Sequence, residues 1–305
     1  MSNSMSDDSV MQPSKRGLKE LYEKSFLRWF SQVLFDWLII ISVFVIIYHI
    51  QNLPLKIAAC IGGWLIIGAR QHALAILGHE GAHGLVSENK LLNDWAVRIF
   101  CSCPLGTDFD QYREFHLKHH AYTSTDQDPE IILKKIDNRW YLPLTWGRLI
   151  RRIFLDAVGL GIPDLFRFSK SNKPKNMRGK LSLLLWWIAA LGITIWGKYW
   201  LAFGLLVVSL HTSFWAIFAL RIWTEHVGTG ATHQIRASWW QKALFLPHNT
   251  WVHDVHHANV NIPFYNLERG RAFYPADKLL SVGELIRDLC NSSPMASGEH
   301  IAKAN

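Results

Sequence analysis

Three short segments of the sequence hold most of its histidines. The chain has 15 His, and eight of them fall within "HEGAH", "HLKHH" and "HDVHH", which we call boxes one, two and three. Positions i, i+3 and i+4 share one face of a helix, so each box can direct its imidazoles toward one point. Neutral imidazole is the commonest metal ligand. The candidate catalytic and metal-binding residues are His79, His83, His116, His119, His120, His253, His256 and His257.

The number of histidines discriminates among metals. A structural zinc site takes about four ligands and a catalytic one about three from the protein, so eight histidines are too many for one zinc. Two six-coordinate metals that each keep a position for oxygen or water fit better. Iron is favoured because dioxygen chemistry is the usual reason to build such a site, although the residues alone leave other transition metals open. The four cysteines form no CxxC pair and indicate neither zinc nor a disulfide framework.

Four apolar runs must position these boxes. Hydrophobic residues make up 50% of the chain, which includes 15 Trp. A run of about 20 residues spans a hydrocarbon core of roughly 30 Å, and runs of this length are rare in soluble domains. The second run is the weakest, because Arg70, Gln71 and His72 interrupt it. The predicted spans are residues 29–48, 55–77, 181–197 and 199–220.

The distribution of Lys and Arg predicts the topology. Residues 1–28 carry five of them and residues 78–180 carry 16, whereas the two short connections between paired spans carry only Lys56 and Lys198. By the positive-inside rule, both termini and the middle segment are cytoplasmic. All three boxes then lie at one membrane surface. The basic composition of that face would suit anionic lipid or an acidic protein partner.

These patterns together predict an all-α fold with four transmembrane helices and a cytosolic helical cap that carries the boxes. We expect a polar, disordered tail over residues 1–28, a single membrane domain over 29–290 and a flexible tail over 291–305. Residues 140–168 mix aromatic residues with arginines, which is typical of a helix in the headgroup layer. The sequence contains no basic stripe with interleaved aromatic residues, so we do not expect it to bind nucleic acid.

The order of the boxes closely resembles that of the integral-membrane fatty acid desaturase and hydroxylase superfamily. The resemblance rests on "HEGAH", then "HLKHH" followed by "TSTDQDPE", then "HDVHH" followed by "NIPFYNL", with four spans arranged as above. It covers roughly residues 30–275. It implies that the eight box histidines bind a non-haem di-iron centre, that is, two iron ions. Family members often use a further histidine after the last span, and "RIWTEH" makes His226 the candidate.

The resemblance also implies a reaction and its partners. We expect O2-dependent desaturation of a fatty acyl chain in lipid metabolism. The alternative is a hydroxylase or ketolase of a lipid or carotenoid, because several branches share the four-residue spacing of box one. No HPGG-type cytochrome b5 motif is present, so we expect a separate electron donor of the ferredoxin or cytochrome b5 type. The acyl chain would enter sideways from the membrane.

Other polar residues near the boxes are candidates for supporting roles. Metal-bound histidines usually donate their second N–H to a carboxylate or carbonyl. His72 shares the helix face of His79 and, with Arg70, is placed deep for a polar group, so function and a buried hydrogen bond both remain open. His211 and His233 are interpreted as structural. The neighbouring carboxylates are Glu80, Asp110, Asp126, Asp128, Glu225 and Asp254.

Two rival functions use part of this pattern. An intramembrane zinc protease would use His79 and His83 as ligands and Glu80 as general base, but it leaves boxes two and three unexplained. A metal transporter would hold its ligands at mid-membrane rather than at one surface. Metal content distinguishes the three hypotheses. The desaturase-like enzyme would contain about two irons, the protease one zinc and the transporter a variable amount of metal.

Overall fold

The computed structural model describes residues 15–123, 125–136, 140–163, 166–167, 173–225, 233–276 and 278–291, and within this part the chain is mostly helical. Four helices are long and apolar enough to cross a membrane, which confirms the predicted all-α class with four transmembrane helices. Each predicted span lies inside one of them or overlaps it, and the helices are longer than the apolar runs. They cover Phe26–His49, Leu53–Ala82, Met177–Gly197 and Trp200–Glu225.

The first two long helices form an antiparallel hairpin. A short helix α1 (Lys15–Glu20) precedes α2 (Phe26–His49), which begins where Ser25 accepts a hydrogen bond from the backbone of Arg28. Only residues 50–52 separate α2 from α3 (Leu53–Ala82), where the side chain of Asn52 accepts from Leu55 N and closes the first turn. With 30 residues, α3 is about 45 Å long and exceeds the hydrocarbon thickness.

The remaining spans form a second hairpin. Helix α8 (Met177–Gly197) ends at Lys198, which adopts a left-handed conformation, and α9 (Trp200–His211) turns back. Thr212 then interrupts the helix before α10 (Ser213–Glu225). This break is fixed to α3, because Trp64 Nε1 donates to Thr212 Oγ1 at 2.7 Å and Ser213 Oγ donates to the carbonyl of Trp64 at 2.7 Å.

Shorter elements connect and follow the spans. Between the hairpins lie α4 (Lys90–Val97), a π-helical turn (Arg98–Ser102), α5 (Phe109–Tyr122), α6 (Pro129–Ile136) and α7 (Trp146–Ala157). After α10 come β1 (Gln234–Arg236), α11 (Trp239–Leu244), α12 (His253–Ala258), α13 (Leu267–Gly270), β2 (Leu279–Ser281) and α14 (Val282–Asn291). The two strands pair in parallel, Gln234 opposite Leu279, and are a small addition to the predicted all-α fold.

Large apolar side chains are exposed along the spans, as a lipid-facing surface requires. Ile46 is 58% exposed on α2, and Ile61 is 63% exposed on α3. The amphipathic helix α7, which lies in the segment predicted for the headgroup layer, exposes Trp146, Ile150 and Phe154 at four-residue intervals. Such a stripe in water would be a large apolar patch, and a membrane surface removes it from water.

Part of the predicted N-terminal tail packs against the protein. Leu21 is only 1% exposed, and its carbonyl accepts a hydrogen bond from Asn266 Nδ2 at 2.9 Å. The hydroxyl of Tyr22 accepts from Asn259 Nδ2 at 2.7 Å. Leu21 and Tyr22, which lie within the predicted tail, therefore contact the segment that follows box three.

Candidate metal centre

Box one lies at the end of α3. His79 is in its last turn and His83 is its C-cap residue. Gly81 between them allows α4 to pack closely, because a Cβ there would lie 3.0 Å from Val97 Cβ. Arg113 on α5 donates to the carbonyl of Gly81 at 2.9 Å and to Asp94 on α4 at 2.5 Å. The end of α3 is thus held against the two helices that follow it.

Box two lies on α5, which begins where Asp108 accepts from Gln111 N at 2.9 Å. His116 and His119 are buried, and His120 is half-buried. The spacing predicts one shared face, but the three rings divide between two groups. His116 and His120 face box one, whereas His119 turns toward Asp128.

Box three forms the short helix α12. His256 is 1% exposed, and its Nε2 lies 3.1 Å from Nε2 of His120. His253 and His257 pair with each other, with 3.2 Å between their Nε2 atoms. Box three therefore also contributes to two groups of histidines.

The first group unites all three boxes. It consists of histidines whose possible ligand atoms all lie within 4.8 Å of one another. We call it the five-histidine cluster. Its members are His79, His83, His116, His120 and His256.

Hydrogen bonding among the rings cannot account for this arrangement. The Nε2 atoms of His83 and His116 are 2.8 Å apart, those of His116 and His120 are 3.0 Å apart, and those of His120 and His256 are 3.1 Å apart. In a neutral imidazole each ring nitrogen has either one proton or one lone pair, so four such atoms form at most two hydrogen bonds. Nε2 of His79 is buried without a partner among the described residues. A cation that accepts several lone pairs would satisfy all of these atoms.

The environment keeps these rings neutral. Burial, together with repulsion from the neighbouring His120 and Arg113, lowers the pKa of His83 to about 3. Burial, followed by repulsion from the surrounding histidines, holds the pKa of His116 and of His256 well below the usual value. Burial likewise lowers the pKa of His120 to about 4. Neutral imidazole is the form that binds metal, so the donor set fits a transition-metal ion.

The second group lies beside the first. The rings of His120 and His257 are stacked with centroids 4.4 Å apart, and the His119 ring is 5.5 Å from His257. Nε2 of His253 is 3.8 Å from Oε2 of Glu225 at the end of α10. Histidines 119, 253 and 257 are therefore close enough to the cluster for two metal positions to share the site.

Asp128 orients His119. Both carboxylate oxygens of Asp128 lie 3.0 Å from Nδ1 of His119, and Glu130 Oε2 lies 3.4 Å from the same atom. Burial opposes charging of the ring, but Glu130 and Asp128 outweigh it and raise the pKa of His119. A carboxylate accepts hydrogen bonds, so Nδ1 carries the proton and leaves Nε2 as the ligand atom.

The other predicted carboxylates differ in their contacts. Glu80 Oε2 accepts from the backbone N–H of Phe264 at 2.8 Å, which connects box one to the chain after box three. Glu225 forms an ion pair of 2.8 Å with Arg221. Asp110 pairs with Arg98 and Arg178 instead of a histidine.

The remaining candidates lie away from the rings or outside the described residues. Asp126 is exposed and pairs with Lys135, and Asp254 accepts from Gln234. His72 donates to the carbonyl of Phe245 at 3.2 Å. His211 Nδ1 contacts the carbonyl of Val207, and His233 is buried beside β1. His226 lies outside the described residues.

The sequence analysis did not identify two supporting groups. Tyr112 stacks on His116 with centroids 5.7 Å apart, and its i, i+4 spacing on α5 was the available signal. Asp36, the one acid in the first apolar run, is fully buried and bonds to His248. No local pattern joins two residues 212 positions apart.

The comparisons with known proteins agree with this geometry. The family model described as "Fatty acid desaturase" matches residues 55–277. An sn-1 acyl-lipid omega-3 desaturase (ferredoxin) of Synechocystis sp. is 24% identical over 68% of this chain and 64% of that protein. An sn-1 oleoyl-lipid 12-desaturase of Arthrospira platensis is 25% identical over 69% of this chain and 67% of that protein. An endoplasmic-reticulum omega-6 fatty acid desaturase of Glycine max is 25% identical over 44% of this chain and 36% of that protein.

Proposed function

The chain belongs to the fatty acid desaturase family, and from that premise we propose that it is an O2-dependent membrane enzyme that introduces a double bond into a lipid-bound acyl chain. Membership makes it an oxidoreductase of lipid metabolism. The observation that carries the finer proposal is the convergence of boxes one, two and three on the five-histidine cluster at the end of α3. The first two relatives are named for action on acyl lipids, which supports a lipid-bound substrate over a soluble one.

We assign two iron ions to the two groups of histidines. The five-histidine cluster would hold one ion, and His119, His253 and His257 would hold the other, with His226 as an additional ligand. When bound, non-haem iron would supply the O2-dependent oxidation of an unactivated C–H bond. An all-imidazole donor set with eight members supports two ions of this kind and argues against a single zinc.

The chain's own residues prepare the site for that chemistry. Asp128 holds the proton on Nδ1 of His119 and thereby fixes the orientation of the ring. Burial of His79, His116 and His256 excludes water from the histidines, which protects the reaction from side oxidation. Glu80 joins box one to the segment after box three and limits their relative movement.

The location of the site suits a substrate dissolved in the membrane. We propose that both termini and the boxes are cytoplasmic, that the helices around the boxes form a cap on that face, and that one membrane domain covers residues 29–290. The acyl chain would reach the site sideways between the spans. One relative's name includes ferredoxin, and we propose an external donor of the ferredoxin or cytochrome b5 type, which the basic face would attract.

Lipid analysis of a host that expresses the protein tests this function. We expect a new acyl double bond with the wild type and none with His119→Ala. The matched control is His49→Ala, because His49 is an exposed histidine at the end of α2 remote from box one. All variants are compared at equal levels in the membrane fraction. A hydroxylated or ketolated lipid or carotenoid in place of the alkene would overturn desaturation and assign the protein to the hydroxylase branch.

A further inference from the structure

Three polar side chains meet inside the bundle, away from the histidine boxes. Asp36 on α2 is fully buried, and its two carboxylate oxygens serve different partners. Oδ1 accepts from Arg70 Nη1 on α3 at 2.8 Å, and Oδ2 accepts from His248 Nε2 at 2.9 Å. Arg70 also donates to the carbonyl of Ala243 on α11. We call Asp36, Arg70 and His248 the buried triad.

The triad joins two spans to the segment that leads into box three. Asp36 and Arg70 lie in helices that are apolar enough to cross a membrane, where a charge is costly unless it is paired. His248 lies after α11 and five positions before His253. One partner of Asp36, His248, thus belongs to the chain between α11 and α12, and the other, Arg70, bonds to Ala243 in the last turn of α11.

The backbone at this point has an unusual conformation. His248 has φ 53° and Asn249 has φ 63°, two consecutive left-handed residues that are not glycine. Such a pair persists only where surrounding contacts fix it, since each non-glycine residue there costs about 1–3 kcal/mol. We call His248 and Asn249 the corner. Directly after it, Thr250 Oγ1 and Thr250 N both donate to the carbonyl of Pro247. The corner sets the direction in which the chain enters α12.

A series of contacts runs from the corner to box one. Asn249 Nδ2 donates to the carbonyl of Phe264 at 2.9 Å, and Phe264 N donates to Glu80 at 2.8 Å. The rings of His248 and Phe264 also meet edge to face, with centroids 5.4 Å apart. Glu80 follows His79 in the sequence. The corner therefore connects to Glu80 in box one through Phe264, and it leads directly into box three.

We propose that the buried triad consists of positioning residues for the metal centre, acting on box three through the corner and on box one through Phe264 and Glu80. The triad touches none of the eight histidines, so it acts through other residues. This inference rests on the metal centre of the proposed function, and it names determinants of that centre that lie inside the spans. It requires that a change at His248 alters metal binding without removing any ligand.

The test compares His248→Ala with His248→Gln in the purified full-length protein, using Fe(II) alone as the probe. Glutamine presents an N–H near the position of Nε2 and can donate to Asp36, whereas alanine cannot. We expect His248→Ala to weaken Fe(II) binding by about 10- to 100-fold, the range seen when residues that support metal ligands are removed. We expect His248→Gln to restore binding to near the wild-type level. Mössbauer spectra of the loaded protein should differ for alanine and match the wild type for glutamine.

The controls separate positioning from simple loss of structure. His49→Ala removes an exposed histidine and should leave iron binding unchanged. If His248→Ala does not fold, Asn249→Gly takes its place, because glycine adopts the left-handed conformation freely but loses the bond to Phe264. An altered iron spectrum in that variant supports the proposal.

Wild-type affinity and an unchanged spectrum in a folded His248→Ala or Asn249→Gly protein would overturn the proposal. Failure of the wild type itself to bind iron would instead overturn the metal centre of the proposed function, and this inference with it. The two failures are thus distinguishable in one titration.

Discussion

Replacement of Asp128 by asparagine should weaken the metal site while leaving the surrounding helix intact. Asp128 is 1% exposed and directs both carboxylate oxygens at Nδ1 of His119. Its Oδ1 also accepts from the backbone N–H of Glu130 at 2.8 Å, near the start of α6. Asparagine keeps one oxygen for that helix terminus. It loses the negative charge and the second acceptor, so the substitution weakens the contact with His119 and keeps the hydrogen bond at the start of α6.

The size of the effect follows from these contacts. A hydrogen bond to a charged group is worth about 1.5–3 kcal/mol, and loss of such support typically costs about 10- to 100-fold in metal affinity, equivalent to roughly 1.4–2.8 kcal/mol. Glu130 Oε2 is 3.4 Å from the same Nδ1 and can replace part of the lost interaction. We therefore expect Asp128→Asn near the lower end of the range. The double variant with Glu130→Gln should reach the upper end.

Titration of the purified protein with Fe(II), followed by spectroscopy of the loaded form, measures this effect. Asp126→Asn is the matched control, because Asp126 lies two residues away, is 82% exposed and pairs with Lys135 instead of a histidine. It should bind iron as the wild type does. Equal iron affinity in Asp128→Asn, in the double variant and in the wild type would refute the assignment of Asp128 as the residue that orients His119.

Three further predictions concern stability and coupling. Asp94→Asn should lower the free energy of unfolding by about 3 kcal/mol, because it leaves Arg113 without its carboxylate. Gly68→Ala should lower the free energy of unfolding by about 1–3 kcal/mol, since the new Cβ would overlap Ser213 and lie 2.6 Å from the backbone nitrogen of Phe214. Lys118→Glu, an exposed change on α5, should slow reduction by an acidic donor, most strongly at low salt.

Asp94 also predicts a pH dependence. Burial opposes ionisation, but hydrogen bonds from Arg113, Lys90 and Asn93 outweigh it and lower the pKa of Asp94 below its usual value. A lowered pKa in the folded state stabilises the protein above the unfolded-state pKa of about 3.9. That stabilisation is lost as the pH falls from there toward the lowered value. The melting temperature should therefore fall below about pH 4, and less steeply in Asp94→Asn.

Matched variants check each of these effects. Glu88→Gln breaks only the exposed pair with Lys24 and should change stability by less than about 1 kcal/mol. Gly192→Ala meets no atom within 4 Å and should be tolerated. Lys56→Glu lies at the opposite end of the bundle and should leave donor kinetics unchanged. Equal effects in a variant and its control would contradict the corresponding reasoning.

The features that could be predicted from the sequence are those that follow a pattern over neighbouring residues, such as an apolar run or a helical spacing. An apolar run of about 20 residues is sufficient to identify a membrane span, and the topology placed all three boxes at one surface, where five of their histidines meet. The helix bounds were less accurate, because the second span was predicted to end at residue 77 and α3 continues to Ala82. Arg70, Gln71 and His72 interrupt the apolar pattern, yet each side chain forms a hydrogen bond inside the bundle.

The division of box two could not be predicted from spacing. His119 and His120 are adjacent in sequence, but Asp128 draws His119 out of the five-histidine cluster. That interaction depends on the turn between α5 and α6, which has no helical period. The buried triad escaped prediction for a similar reason, since Asp36 and His248 are 212 positions apart.

The length of α3 explains why a metal site and a lipid-facing span can share one helix. About 20 residues suffice to cross the hydrocarbon core, and α3 has 30, so roughly ten residues extend beyond it when the helix begins at the opposite surface. His79 lies in this extension and His83 directly follows it. In the proposed arrangement the imidazoles would therefore lie just outside the apolar layer, where α5 and α12 could supply the other ligands without placing their own polar backbones in lipid. A site at this depth remains within reach of an acyl chain that stays in the membrane.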